Sequence, residues 1–117
     1  MSQQSAHAQC ISDGGMLPVI KNDKESIYMQ EKVGKSMVWL DIVKSSQNWR
    51  TSSGSLLTYN NWYENQTLNM PAQNCAVVVN RGVETGWKKE SCDSCKNVVC
   101  RKGKKNFYHS FYIPSNM

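Results

Sequence analysis

The sequence predicts an α+β domain, and three of its features carry that prediction. Two segments with helical spacing occupy the chain up to Gly34, short runs of strand-forming residues follow from Met37, and cysteines stand at Cys10, Cys75, Cys92, Cys95 and Cys100. Helices first and strands afterwards argue against the alternating order of a parallel sheet. A length of 117 residues suits one domain with one core.

The first element is a helix from Ser5 to Asp13. Ala6 and Cys10 lie on one helical face, and Gly14-Gly15 ends the helix where positive φ costs little. Met16-Leu17-Pro18-Val19-Ile20 is an apolar run, but Pro18 has no N–H for a central ladder, so an edge or entry strand is expected. Asn22 with Glu25 three residues later opens a second helix, in which Met29 and Val33 stand one turn apart before Gly34. Strands are expected at Met37 to Val43, Leu56 to Tyr59, Ala76 to Val79 and Asn97 to Cys100. The longest irregular stretch, Asn60 to Asn74, is rich in Asn and Gln and carries Trp and Tyr; loops of that length in small domains are usually functional or disordered.

With 39% apolar and 20% charged residues, the chain is not of the intrinsically disordered class. Its formal charge is +5, yet Arg101, Lys102, Lys104 and Lys105 account for most of it. A basic run so confined does not make the broad face that neutralises several phosphates, so no nucleic-acid partner is expected. No apolar stretch is long enough to span a bilayer, and Met1 to Ser5 has no signal-peptide core.

Five cysteines exceed what a cytosolic domain of this size usually keeps, which favours disulfides; the odd number leaves at least one thiol free, metal-bound or joined to another molecule. An alternative is a small zinc site through Cys92, Cys95, Cys100 and His109. That alternative draws every ligand from one end, sets a basic run among them and leaves Cys10 and Cys75 without a role. Redox catalysis at the Cys92-x-x-Cys95 pair would need a helix start after a strand, and no such pattern is visible there.

Taken in order, the landmarks resemble the C-type lectin-like domain. They are Ala6 and Cys10, Gly14 to Leu17, Trp39-Leu40-Asp41-Ile42, Trp49 with Ser53-Gly54-Ser55, Tyr59-Asn60-Asn61-Trp62, Asn74-Cys75-Ala76-Val77, Gly86-Trp87 with Cys92, and Val98 to Lys102. The resemblance implies two helices, short antiparallel strands, a long irregular loop region and disulfide staples, in a domain of residues 1–102 with a basic and aromatic tail over 103–117. It further implies bonds from Cys10 to Cys100 and from Cys75 to Cys92, with Cys95 left over, and an extracellular location, either secreted or as the ectodomain of a membrane protein. Asp41 stands where the family carries a glycine. Trp62 and Trp87 are positions that the family buries.

Sugar-binding members of the family hold calcium through a Glu-Pro-Asn or Gln-Pro-Asp triplet in the long loop, a later Glu and an Asn-Asp pair. Here the triplet position falls on Gln66-Thr67-Leu68 or, aligned on proline, on Met70-Pro71-Ala72; the later Glu is Gln73, and the pair is Lys88-Lys89. Calcium needs six to eight hard oxygen ligands, and two cations among them repel it, so no calcium or other cofactor is expected at this loop. The residues left to meet a ligand are Tyr63, Glu64, Asn69, Gln73, Lys88, Lys89 and Glu90, a mixture that suits a protein or an acidic glycan. Asn65-Gln66-Thr67 is the one glycosylation sequon, and an occupied Asn65 would put a sugar chain on the same loop.

Two functions follow as expectations: a recognition module that binds a protein or glycan without calcium, or a lectin that keeps glycan specificity through an unconventional loop site, with a lysine in place of the ion's charge. Catalysis is not expected, because His7 lies in the first helix and His109 in the tail with no nucleophile and acid at informative spacing. The strand that opens the family fold has no counterpart before the first helix, so either the chain is a fragment or the strand-forming tail Phe107 to Ile113 pairs at the open edge. Calorimetric titration with millimolar calcium is expected to give no saturable heat, and calcium should leave the melting temperature unchanged.

Overall fold

A computed structural model describes residues 1–63, 73–103 and 107–114. Helix α1 (Gln3–Ser12) begins earlier than expected because Ser2 caps it, its hydroxyl accepting from the Ser5 backbone N–H at 3.2 Å. Only Gln3, Ala6 and Cys10 are buried, so the helix meets the core along a narrow stripe. Strand β1 (Gly15–Met16) follows directly. Helix α2 (Asp23–Val33) is capped by the Asn22 side chain, which accepts from the Glu25 N–H, while the Glu25 carboxylate reaches back to accept from the Lys21 N–H, both at 2.9 Å. Asp23 and Glu25 in its first turn suit the positive end of the helix dipole.

The main sheet runs β3-β2-β4-β5, with every neighbouring pair antiparallel: β2 (Val38–Ser45), β3 (Asn48–Thr51), β4 (Cys75–Arg81) and β5 (Glu84–Glu90). Val38 to Ile42 and Cys75 to Val79 are buried without a break, the signature of strands covered on both faces. On one face Val38, Leu40, Ile42, Val78 and Trp87 pack with Met29 and Val33 of α2; on the other Trp39, Val77 and Val79 pack with Ala6, Cys10 and Leu17. A register shift between Trp39 and Val43 bulges β2 where Asp41 sits.

A second sheet runs β1-β6-β7, with β6 (Cys100–Lys102) between β1 and β7 (Phe111–Tyr112). The tail therefore folds back: Cys100 pairs with Tyr112 and Arg101 with Phe111, and Phe107, in a short 3-10 turn, is buried against the α2 face of the core. Disulfides join Cys10 to Cys100, across 90 residues, and Cys75 to Cys92, across 17. These are the pairs implied by the resemblance, and Cys95 is an exposed free thiol.

Three strand expectations are corrected. Beyond Met16 the chain leaves the ladder, since Pro18 cannot donate; its carbonyl instead accepts the Asp41 N–H at 2.8 Å. Leu56 to Tyr59 is no strand: Leu56 makes one bridge to Arg50, and the Leu57 N–H reaches the Trp49 carbonyl at 3.3 Å. Of the Asn97 to Cys100 run only Cys100 enters β6, while Val98 and Val99 are buried core outside any strand. Strand β3, by contrast, was not expected from the sequence.

Loop-closure entropy ranks the two disulfides. Replacing Cys10 and Cys100 together by Ala should cost about 4.5 kcal/mol, and replacing Cys75 and Cys92 about 3 kcal/mol, in the chain-entropy treatment. Equilibrium urea unfolding of the two double variants checks the order, with the Cys10/Cys100 variant expected to be the less stable.

Candidate functional site

The described start of the long loop is laid against β5 by backbone bonds. The Trp87 N–H donates to the Asn61 carbonyl at 2.8 Å and the Tyr63 N–H to the Trp87 carbonyl at 3.2 Å. Gly86 makes that approach possible: its φ is +129°, and a Cβ there would stand 2.5 Å from the Asn61 carbonyl oxygen. Trp62 is thereby seated between Trp49 and Trp87, with ring centroids 4.9 and 5.5 Å away, and the Lys89 ammonium lies 5.6 Å from its ring centre. Trp87 is buried in the core; Trp62 is only half-buried and keeps part of its indole at the surface.

Strand alternation separates the two lysines. Lys89 pairs with Ala76 and shares the Trp87 face, whereas Lys88 pairs with Val77 and projects from the opposite face, where its ammonium meets Glu84 at 3.1 Å. Glu90 accepts from the Ser94 hydroxyl at 3.1 Å and lies 3.6 Å from the Lys96 ammonium. Lys89 thus flanks the aromatic shelf and the Tyr63 backbone adjoins it, whereas Glu90, on the Lys88 face of β5, does not; Gln73 stands just before β4, whose first residue Cys75 pairs with Glu90. Glu64, Asn65 and Asn69 lie outside the described residues, as do the calcium-triplet positions 66–68 and 70–72. Of the zinc alternative, Cys92 and Cys100 are consumed in disulfides, and among the described residues no three His, Cys, Asp or Glu side chains gather as a metal site. Sequence reasoning missed Trp49 as part of the shelf, although it had marked the residue as a landmark.

A second group of polar residues was not anticipated at all. Asp41, 3% exposed in the bulge of β2, accepts the Ser52 hydroxyl at 2.8 Å through one carboxylate oxygen. Its other oxygen has no hydrogen bond, and His7 Nδ1 stands 3.7 Å from it. Aspartate lies between serine and histidine here, so the imidazole is not placed to take the serine proton and the group is not a nucleophilic triad. Burial pushes the Asp41 carboxyl above its ordinary range, against the opposing pull of the Ser52 hydroxyl and of His7. The signal was present in the sequence as one carboxylate inside an apolar run.

The sequence profile of the family described as "Lectin C-type domain" matches residues 1–102. The galactose-specific lectin nattectin of Thalassophryne nattereri is 30% identical over 111 residues, covering 87% of this chain and 68% of that lectin. The secretory phospholipase A2 receptor of Mus musculus is 24% identical over 107 residues, covering 87% of this chain and 7% of the receptor. This chain thus spans a small part of that relative's length. Among solved structures, the mouse scavenger receptor C-type lectin carbohydrate-recognition domain superposes with a TM-score of 0.74 at 24% identity, covering 85% of this chain and 78% of that one.

The raised Asp41 carboxyl sets a pH dependence. The native state holds this proton more tightly than the unfolded chain, so the group's contribution to stability falls as pH rises from the ordinary value of 3.8 through the raised native value, and stays lowered above it. Asp41→Asn keeps an acceptor for Ser52 but has no charge to bury. Its stability relative to the parent protein is expected to be highest near pH 7 and to decline as pH falls towards 4, read by urea unfolding at several pH values; a pH-independent difference would contradict the assignment.

Proposed function

The chain belongs to the C-type lectin family, and from that premise we propose that it is a non-enzymatic, extracellular recognition module that binds a protein or glycan without calcium. One observation carries the calcium-independent part: the strand that would present the family's Asn-Asp pair presents Lys88 and Lys89 instead, and the Lys89 ammonium lies over Trp62 beside the loop entrance. A fixed cation there opposes a divalent ion and attracts an acidic group. The half-buried Trp62, backed by Trp49 and Trp87, supplies the apolar contact area that recognition surfaces concentrate in aromatic side chains. Two disulfides in a small domain support an oxidising, extracellular setting.

The lectin reading stays in play for a specific reason: an indole face beside a cation is also suited to a sugar ring bearing an acidic group. The glycosylation sequon at Asn65 bears on the same proposal, since an attached glycan would argue against the long loop as the contact surface. A glycan array probed with and without chelator separates the readings. Sugar binding abolished by chelator would overturn calcium independence; sugar binding that survives chelator would support the unconventional lectin.

For a ligand found in this way, changing Lys88 and Lys89 together to Glu should weaken binding about tenfold or more at low salt, mainly through a slower association rate, and less at high salt. Surface plasmon resonance at two ionic strengths reads both. Of the single variants, Lys89→Glu should carry most of the loss, because Lys89 stands beside Trp62 while Lys88 projects from the other face of β5.

A further inference from the structure

Away from the β5 shelf, a cavity of about 410 Å³ opens between the 51–59 segment and the stretch from Met16 to Lys21. Met16, Ile20, Leu56 and Leu57 give it apolar walls, and among the described residues of its lining Asp41 supplies the only carboxylate. That carboxylate is almost fully buried; one of its oxygens has no hydrogen bond, and the titratable His7 stands beside it with Nδ1 3.7 Å away. Buried carboxylates with an unused acceptor are rare and costly, and they call for a donor to complete them.

The charges around the cavity select the donor. Arg101 also lines it, but its guanidinium lies 5.1 Å from the centre of the Phe107 ring and its Nε donates to the Ser110 hydroxyl at 3.1 Å. Lys21 lines it as well and is exposed, so water screens its charge. Asp41 is the charge least screened, and an ammonium bonds a carboxylate more strongly than a hydroxyl does. The bulge of β2 brings this carboxylate to the cavity, as bulges do where a strand must re-aim a side chain. Ser52, already bonded to Asp41 from an exposed loop, is free to share the carboxylate with an incoming donor.

We infer that this cavity is a ligand site separate from the β5 shelf, and that it takes a small primary amine with an apolar body, the ammonium bonding Asp41 and the body lying against Ile20 and Leu57. The inference is independent of the proposed recognition function and of the long loop.

The test is an NMR titration of the isotopically labelled protein at neutral pH with phenethylamine, 2-phenylethanol and 3-phenylpropionate, which share an apolar body and differ in the polar group. Saturable shifts are expected for the amine at the amides of Asp41, Ser52 and Leu57, with Trp62 and Lys89 unmoved and with affinity about tenfold above that for the alcohol, the advantage of a charge-assisted bond. Asp41→Asn should abolish that advantage. Ser53→Trp, which crowds the cavity from an exposed lining position and leaves the carboxylate intact, should weaken amine binding and stands as the test if the Asn variant does not fold. No saturable shift, equal affinity for amine and alcohol, or tighter binding of the carboxylate would overturn the inference. Amine shifts confined to Trp62 and Lys89 would overturn it too, while leaving the β5 shelf as a binding surface.

Discussion

The bond between Cys10 and Cys100 ties the first helix to a strand 90 residues later, and much of the molecule is arranged around it. Both sulfurs lie in the core between α1 and the main sheet, beside Trp39 and Val77. With Cys100 anchored there, β6 is held next to β1, and the tail has a free edge on its other side to occupy. The same anchoring presses α1 onto one face of β2 and β4 while α2 covers the other. That double cover explains why neither strand alternates polar with apolar residues. The second disulfide acts more locally, closing the base of the loop region where β4 begins.

Where a feature rests on local chemistry, the sequence made it legible. The Asn22 cap, the buried pair Met29 and Val33, the apolar run of β4 and the order of helices before strands all depend on residues within a turn or two of each other. The family landmarks added the long-range pairing that local patterns cannot supply. The misreadings share one cause, which is that strand propensity does not report whether a partner is available. Leu56 to Tyr59 has suitable side chains but finds only a single bridge, because its apolar residues turn towards the cavity. Asn48 to Thr51 has only Trp49 and Thr51 as strand formers and no apolar run, yet becomes β3 because the turn after β2 returns it alongside. Val98 and Val99 are apolar enough for a strand and serve as core without one.

The candidate surface was legible in kind but not in geometry. Lys88 and Lys89 are adjacent in sequence, so a strand must send them to opposite faces, but only the fold tells which one joins Trp87: it is Lys89, while Lys88 meets Glu84. Asp41 was noticed only as a departure from a glycine. Its meaning depends on Ser52 and His7, which come from different elements and meet only in the folded chain.

The seating of Trp62 has an optical consequence. Trp39 and Trp87 are shielded in the core, whereas Trp62 is half-buried, lies against two other indoles and has a lysine ammonium near its ring. Its emission is therefore sensitive to solvent access and to the position of that charge, in a way that the two shielded indoles are not. A ligand that draws Lys89 away or covers the exposed edge of the ring alters the fluorescence of a residue at the contact itself, so the domain carries a built-in reporter of occupancy that requires no label.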